Sequence, residues 1–186
     1  MKTWTGVPCA VAVLALVAGM TGQPAFAADE TGVTTGKVVA SGEKLTVKPA
    51  KGEEVTFWVK YAQKNDKWIR EPLVDIALTK TLRKGMPVTV NWSIGEQGRK
   101  YIDKLIANGT VGGTVIEPRE RGILLVKVEG IEGSMRFVSR WINPEGKWIP
   151  DPKEVEMIAR VPTGAKVTVT YELEEHLRIN DLKVVE

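Results

Sequence analysis

Thiols and imidazoles are almost missing from this chain: 186 residues hold one cysteine, Cys9, and one histidine, His176. Cys9 lies in an apolar run near the N-terminus. The remainder therefore has no disulfide, no thiolate metal site and no cysteine nucleophile. A lone histidine lacks the convergent ligands a metal centre needs. Strong charge of one sign is missing too, for the formal net charge is +3. That falls short of the concentrated positive charge that binds a phosphate backbone, which weighs against nucleic acid as a partner. Residues 28–109 carry 14 basic and 10 acidic residues, and residues 110–186 carry 11 and 13. This small asymmetry favours head-to-tail contact between the halves. Only one long apolar run exists, Val7 to Met20, shorter than the roughly 20 residues a membrane helix needs.

That run has a neighbour on each side that gives it meaning. Lys2 supplies a positive start, and Ala25-Phe26-Ala27 supplies the small-x-small pattern that signal peptidase accepts. The expectation is a signal peptide over residues 1–27, cut before Ala28, with export to the periplasm or the outside. A retained anchor is the alternative, but Gly22 and Pro24 break the segment just after the run. Cys9 opens the run instead of closing it, so lipidation is not expected. No later segment reads as transmembrane. Without disulfides, the exported part must be held by its apolar core.

An internal repeat organises that part. Lys67-Trp68-Ile69-Arg70-Glu71-Pro72 recurs as Lys147-Trp148-Ile149-Pro150-Asp151-Pro152. Upstream, Phe57 to Tyr61 lines up with Phe137 to Trp141. Downstream, Lys84 to Trp92 matches Thr163 to Tyr171. Gly36-Lys37-Val38 pairs with Gly113-Thr114-Val115, and Ile102 to Leu105 with Ile179 to Leu182. The chain thus divides into a first unit over 28–109 and a second over 110–186, with Asn108 to Gly113 as the boundary.

Each unit reads as three strands, a short helix and two more strands. The first strand starts at the glycine. The second covers Leu45 to Lys48, or Ile123 to Val128, and a longer third covers Val55 to Tyr61, or Met135 to Ile142. The Lys-Trp-Ile segment then folds back along the third strand. In the second copy Asp151 is a good N-cap, Pro152 suits the first helical position and Glu154 completes a capping box. Val74, Leu78 and Leu82 mark the weaker helix of the first copy. Val88 to Trp92 with Tyr101 to Ile106, and Val167 to Tyr171 with Leu177 to Val185, close the units.

This order predicts a mainly β protein of two tandem five-stranded OB-like barrels, each with one short helix between strands 3 and 4. An SH3-like barrel is the alternative. The pattern Gly36-x-Val38, Leu45-x-Val47, Phe57-x-Val59, Lys84-Gly85-x-x-Val88-x-Val90 and Ile102-x-x-Leu105 recurs in the second copy with Ser139 in place of Val59 and Thr163 in place of Lys84. It resembles the small OB-like domains of unknown function found in exported bacterial proteins. The resemblance implies a binding or scaffolding module without catalysis or cofactor.

Several residues invite a functional reading. If Phe57, Val59 and Tyr61 point inward, Trp58 and Lys60 point outward, beside Thr46 and Lys48 of the second strand. OB-folds use this face for ligands, and an aromatic ring among lysines suits a glycan or an anion. The second copy offers Val138 and Arg140 there, with Lys127 nearby. A plain solvated sheet face is the competing reading. Trp68 and Trp148 suggest stacking platforms, but their persistence through duplication favours packing in the core. Trp92 and Tyr171 also read as core or rim. His176 follows Glu172, Glu174 and Glu175 in a hairpin and reads as part of a solvated turn. Pairs such as Glu71 with Asp75 fall where helix starts want negative charge, so capping outranks acid–base chemistry. No catalytic or metal set emerges. Expected partners are an envelope protein or a glycan. An oligonucleotide binder and an envelope-polymer hydrolase with a site between the copies are the alternatives.

Overall fold

The computed structural model describes residues 30–185. The segment read as a signal peptide, with Cys9, lies outside them. The repeated alternation does what its period requires, placing every second side chain on one face. In the first copy β1 (Thr31–Ala40), β2 (Lys44–Pro49) and β3 (Val55–Trp58) are followed, after intervening segments, by β6 (Pro87–Ile94) and β7 (Lys100–Ile106). Their inward residues Val38, Leu45, Val47, Phe57, Val88, Val90 and Ile102 are all buried. The sheet order is β1-β2-β3-β7-β6, and β6 pairs back onto β1, so the ring closes. All contacts are antiparallel except β3 with β7, which is parallel through Trp58 and Tyr101.

The second copy repeats this with β8 (Gly109–Arg119), β9 (Ile123–Val128), β10 (Met135–Val138), β13 (Lys166–Leu173) and β14 (Leu177–Val185). Its ring runs β10-β14-β13-β8-β9, again closed by one parallel contact, between β10 and β14. Even the irregularities recur. Register shifts fall at Asn91/Trp92 and Thr170/Tyr171, and at Val38/Ala40 and Val115/Glu117. The protein is mainly β, as the strand pattern predicts. A Cβ on Gly36 would lie 2.4 Å from the Lys48 carbonyl oxygen, and one on Gly113 would lie 2.6 Å from that of Lys127. The first and second strands cross too closely there for any side chain, which explains why both glycines survive duplication.

Three expectations need correction. The boundary read at Asn108–Gly113 is mostly strand: β8 begins at Gly109, and only Ala107 and Asn108 lie between the rings. The long third strand is really two elements. The chain leaves the ring after Trp58 and after Val138, because the last strand of each unit takes over the pairing there. It then forms a projecting hairpin, β4 (Tyr61–Lys64) with β5 (Lys67–Arg70), or β11 (Trp141–Ile142) with β12 (Ile149–Pro150). Tyr61 is therefore exposed, not inward. Trp68 and Trp148, read as core, are 69% and 63% exposed. A two-stranded hairpin standing off the barrel has no second layer to bury them.

The helices differ between copies. α1 (Pro72–Ile76) runs into a π-helical turn, Ala77–Thr81, closed by the Leu82 N–H donating to the Ala77 carbonyl at 2.8 Å. α2 (Pro152–Ala159) is regular. From the proline to the corresponding glycine the first copy carries one residue more, Pro72 to Gly85 against Pro152 to Gly164. A π-turn absorbs one extra residue while keeping Leu78 and Leu82 buried. Asp151 caps α2 as expected, accepting from the Lys153 N–H at 2.9 Å. Glu154 does not complete a capping box. Its carboxylate accepts instead from the Arg140 backbone N–H at 2.7 Å and Nε at 2.8 Å, tying the helix to the exit of β10.

The rings join through a few close contacts. The Glu132 N–H donates to the Lys84 carbonyl at 2.9 Å, and Thr81 Oγ1 to the Glu175 carbonyl at 3.3 Å. Gly85 sits so near Gly130 that a Cβ would lie 2.1 Å from its carbonyl oxygen. Lys80, Arg83 and Lys84 lie on the first ring's side of this contact, but no ion pair joins the two rings among the described residues. Buried residues of both rings form one continuous apolar cluster.

Candidate functional site

Two surfaces compete. The first is the outer face of strands 2 and 3 in the first ring. Trp58 is half-buried there, and its ring already has two cations against it, Lys44 Nζ at 3.8 Å and Arg99 Cζ at 4.5 Å from the centroid. Thr46 lies beside Thr56, their hydroxyls 3.3 Å apart. Lys48 is exposed and stands directly opposite Lys37 across the strands, a like-charge pair that costs stability without a bound anion. Lys60, just past the strand, is bound to Asp103, which also accepts from Ser93 Oγ at 3.0 Å.

The second ring does not reproduce this face. Val138, expected outward, is buried. Arg140 is committed to Glu154, while Lys127 stays exposed on β9 opposite Thr114. The six predicted residues therefore fall into one cationic patch on the first ring, containing Trp58, Thr46 and Lys48 with Lys60 at its end, and two separate residues on the second.

The other surface was not legible as a site in the sequence. A groove of about 870 Å³ lies between the two copies, within the usual size of ligand clefts. α1 contributes Leu73 and Val74, with Glu71 just before it and Ala77 of the π-helical turn just after; β7 contributes Asp103, Lys104 and Leu105. The second copy contributes Trp141 and Trp148 from its projecting hairpin, then Leu173, Glu174, Glu175, His176 and Arg178 from the last hairpin. The floor is aliphatic and the walls carry two exposed indoles. One signal did exist: Tyr61 and Trp68 correspond to Trp141 and Trp148, an aromatic pair flanking a polar turn in each copy. Such a pair on a short hairpin has nowhere to be buried.

Asp103, Glu174 and Arg178 of the groove are already engaged. Arg178, 7% exposed, donates from Nη1 to the Ser139 carbonyl at 3.0 Å and from Nε to Glu174 Oε2 at 3.1 Å. His176 sits in the bend between β13 and β14, as expected, but is half-buried there and not fully solvated. Burial lowers its pKa below the ordinary value, helped by the nearby Arg136, Arg178 and Lys80 and opposed by Glu175. Asp75, outside the groove, lies 2.7 Å from Arg70 Nη1 as a charge pair, and its Oδ1 accepts no hydrogen bond among the described residues. Neither Glu71 nor Glu175 is in an ion pair among the described residues. Among those residues no three His, Asp or Glu side chains gather as metal ligands, and no helix is long and apolar enough to cross a membrane. In comparisons with known proteins, no family model, no curated protein and no solved structure matches this chain.

Proposed function

We propose that the protein is a non-enzymatic binding or scaffolding module of the bacterial cell envelope, whose ligand seats in the groove between the two rings. The observation that carries this reading is the exposure of Trp141 and Trp148 over an aliphatic floor drawn from both copies. Exposed aromatic and aliphatic side chains gathered in one concavity mark a place of contact. Asp103 and Glu174 are each held by a cation, which suits holding a ligand better than moving protons. The apolar N-terminal run supports the envelope location. The test is capture of envelope glycans and proteins on the immobilised protein, compared with a Trp141→Ala/Trp148→Ala variant. Loss of the captured species in the variant supports the reading. Turnover of a generic esterase, phosphatase or glycosidase substrate, lost on changing Glu71 or His176, overturns it.

A second reading rests on the first ring alone. Lys44 and Arg99 stack on Trp58, and Lys48 with Lys37 continues the cationic face along the same strands, which favours an anionic glycan or an oligonucleotide across strands 2 and 3. Binding there falls steeply with salt and disappears in Trp58→Ala.

A further inference from the structure

The hairpin of the first copy is the feature that its own molecule leaves unused. All four residues of β4 are exposed, as are Lys67 and Trp68 at the start of β5. Tyr61 and Trp68, 59% and 69% exposed, share one face of the hairpin and Lys64 and Lys67 the other, while Arg70 at its base is tied to the barrel by donating to the Gly42 and Glu43 carbonyls. Its counterpart in the second copy is used differently, because Trp141 and Trp148 face α1 across the groove. The groove also carries uncommitted negative charge, Glu71 from one ring and Glu175 from the other, against the single uncommitted cation Lys104. One molecule therefore displays a protruding aromatic, basic tip and, elsewhere, an aliphatic, indole-walled, acid-rimmed cleft.

Resting on the groove reading, we infer that the groove accepts the β4–β5 hairpin of a second copy of this chain. Trp68 enters over Leu73, Leu105 and Leu173, and Lys64 and Lys67 meet Glu71 and Glu175. The aliphatic floor favours this occupant over a sugar. Leucine and valine side chains would strip water from sugar hydroxyls without replacing their hydrogen bonds, whereas an indole is mostly apolar and has a single N–H to keep satisfied at the rim. The tip is held in shape by Asn65 and Asp66, both with positive φ, as a tight two-residue turn requires. Little ordering cost is then left for binding. The contact joins two different surfaces, so association proceeds hairpin to groove.

Sedimentation velocity and light scattering on the purified protein test this, from about 1 µM to several hundred µM. The weight-average mass should rise with concentration and fall back toward the monomer at about 0.5 M salt. Trp68→Ala, on an exposed side chain whose loss leaves the fold intact by circular dichroism, should weaken association at least about tenfold. Lys64→Glu/Lys67→Glu and Glu71→Lys/Glu175→Lys should each abolish it alone, and mixing the two variants should restore it. A monomer at every concentration overturns the inference, as does association that Trp68→Ala or the charge reversals leave unchanged. If the protein stays monomeric yet captures an envelope species through Trp148, the inference falls and the groove reading stands.

Discussion

Tyr171→Phe should make this protein more stable, and the reason lies in a difference between the copies. Tyr171 is 1% exposed, with its ring 5.4 Å from that of Phe137, and its hydroxyl finds no partner among the described residues. Its counterpart Trp92 does find one, donating from Nε1 to Thr34 Oγ1 at 3.0 Å. The position matching Thr34 in the second copy is Val111, which has nothing to offer. A buried hydroxyl without a partner costs about 1–3 kcal/mol. Removing the oxygen leaves a void of roughly 15 Å³, worth about 0.4 kcal/mol at the usual cavity cost. The net gain should be about 1–2 kcal/mol. Urea unfolding should show it as a higher midpoint with unchanged slope, and heating as a midpoint raised by several degrees. Thr34→Val is the mirror experiment. It strands the Trp92 N–H and should cost about 1 kcal/mol or more. Destabilisation of Tyr171→Phe by more than about 1 kcal/mol would refute the reasoning, since it would mean that the hydroxyl is bonded. Burial also pushes the Tyr171 phenol above the usual tyrosine value, so the step at highest pH in an alkaline ultraviolet titration should vanish in the same variant.

Gly85→Ala and Gly164→Ala both place a side chain at positive φ, but only Gly85 faces another backbone, that of Gly130. Gly85→Ala should therefore cost more, and small-angle scattering should show the rings displaced in that variant alone. Glu154→Gln removes the charge that holds the Arg140 N–H and guanidinium. It should destabilise by about 1–3 kcal/mol, measured by denaturant unfolding, with Asp151→Ala smaller at about 1 kcal/mol. In the unfolded chain His176 protonates near the ordinary value of 6.5, and in the folded protein only at lower pH. The unfolded state then binds more protons between the two values. Stability should be full above pH 6.5 and fall as the pH drops below it, a slope that His176→Gln should flatten.

Much of the ring was readable from local rules. Leu45, Val47, Phe57, Val88 and Val90 alternate with polar residues, and alternation permits only one face to be buried. The repeat made each reading twice as strong. Where the reading erred, long-range pairing was the cause. β7 and β14 claim the end of the third strand through a parallel contact that no local pattern announces. The chain beyond must leave the ring, and Tyr61, Trp68 and Trp148 leave with it. Duplication preserved these aromatics without burying them, so persistence alone could not distinguish core from protrusion. Val138 and Trp58 occupy equivalent positions, yet one is covered and the other open, because cover comes from neighbouring elements.

Alternating apolar residues, turn glycines and the duplicated order of segments determined by themselves that two small β rings would form. Those are short-range demands, met by each unit on its own. Where a cleft opens, and which side chains line it, was decided only when the rings met at Gly85 and Gly130. Such features depend on side chains that come from both units and lie far apart along the chain, and no local periodicity encodes their approach.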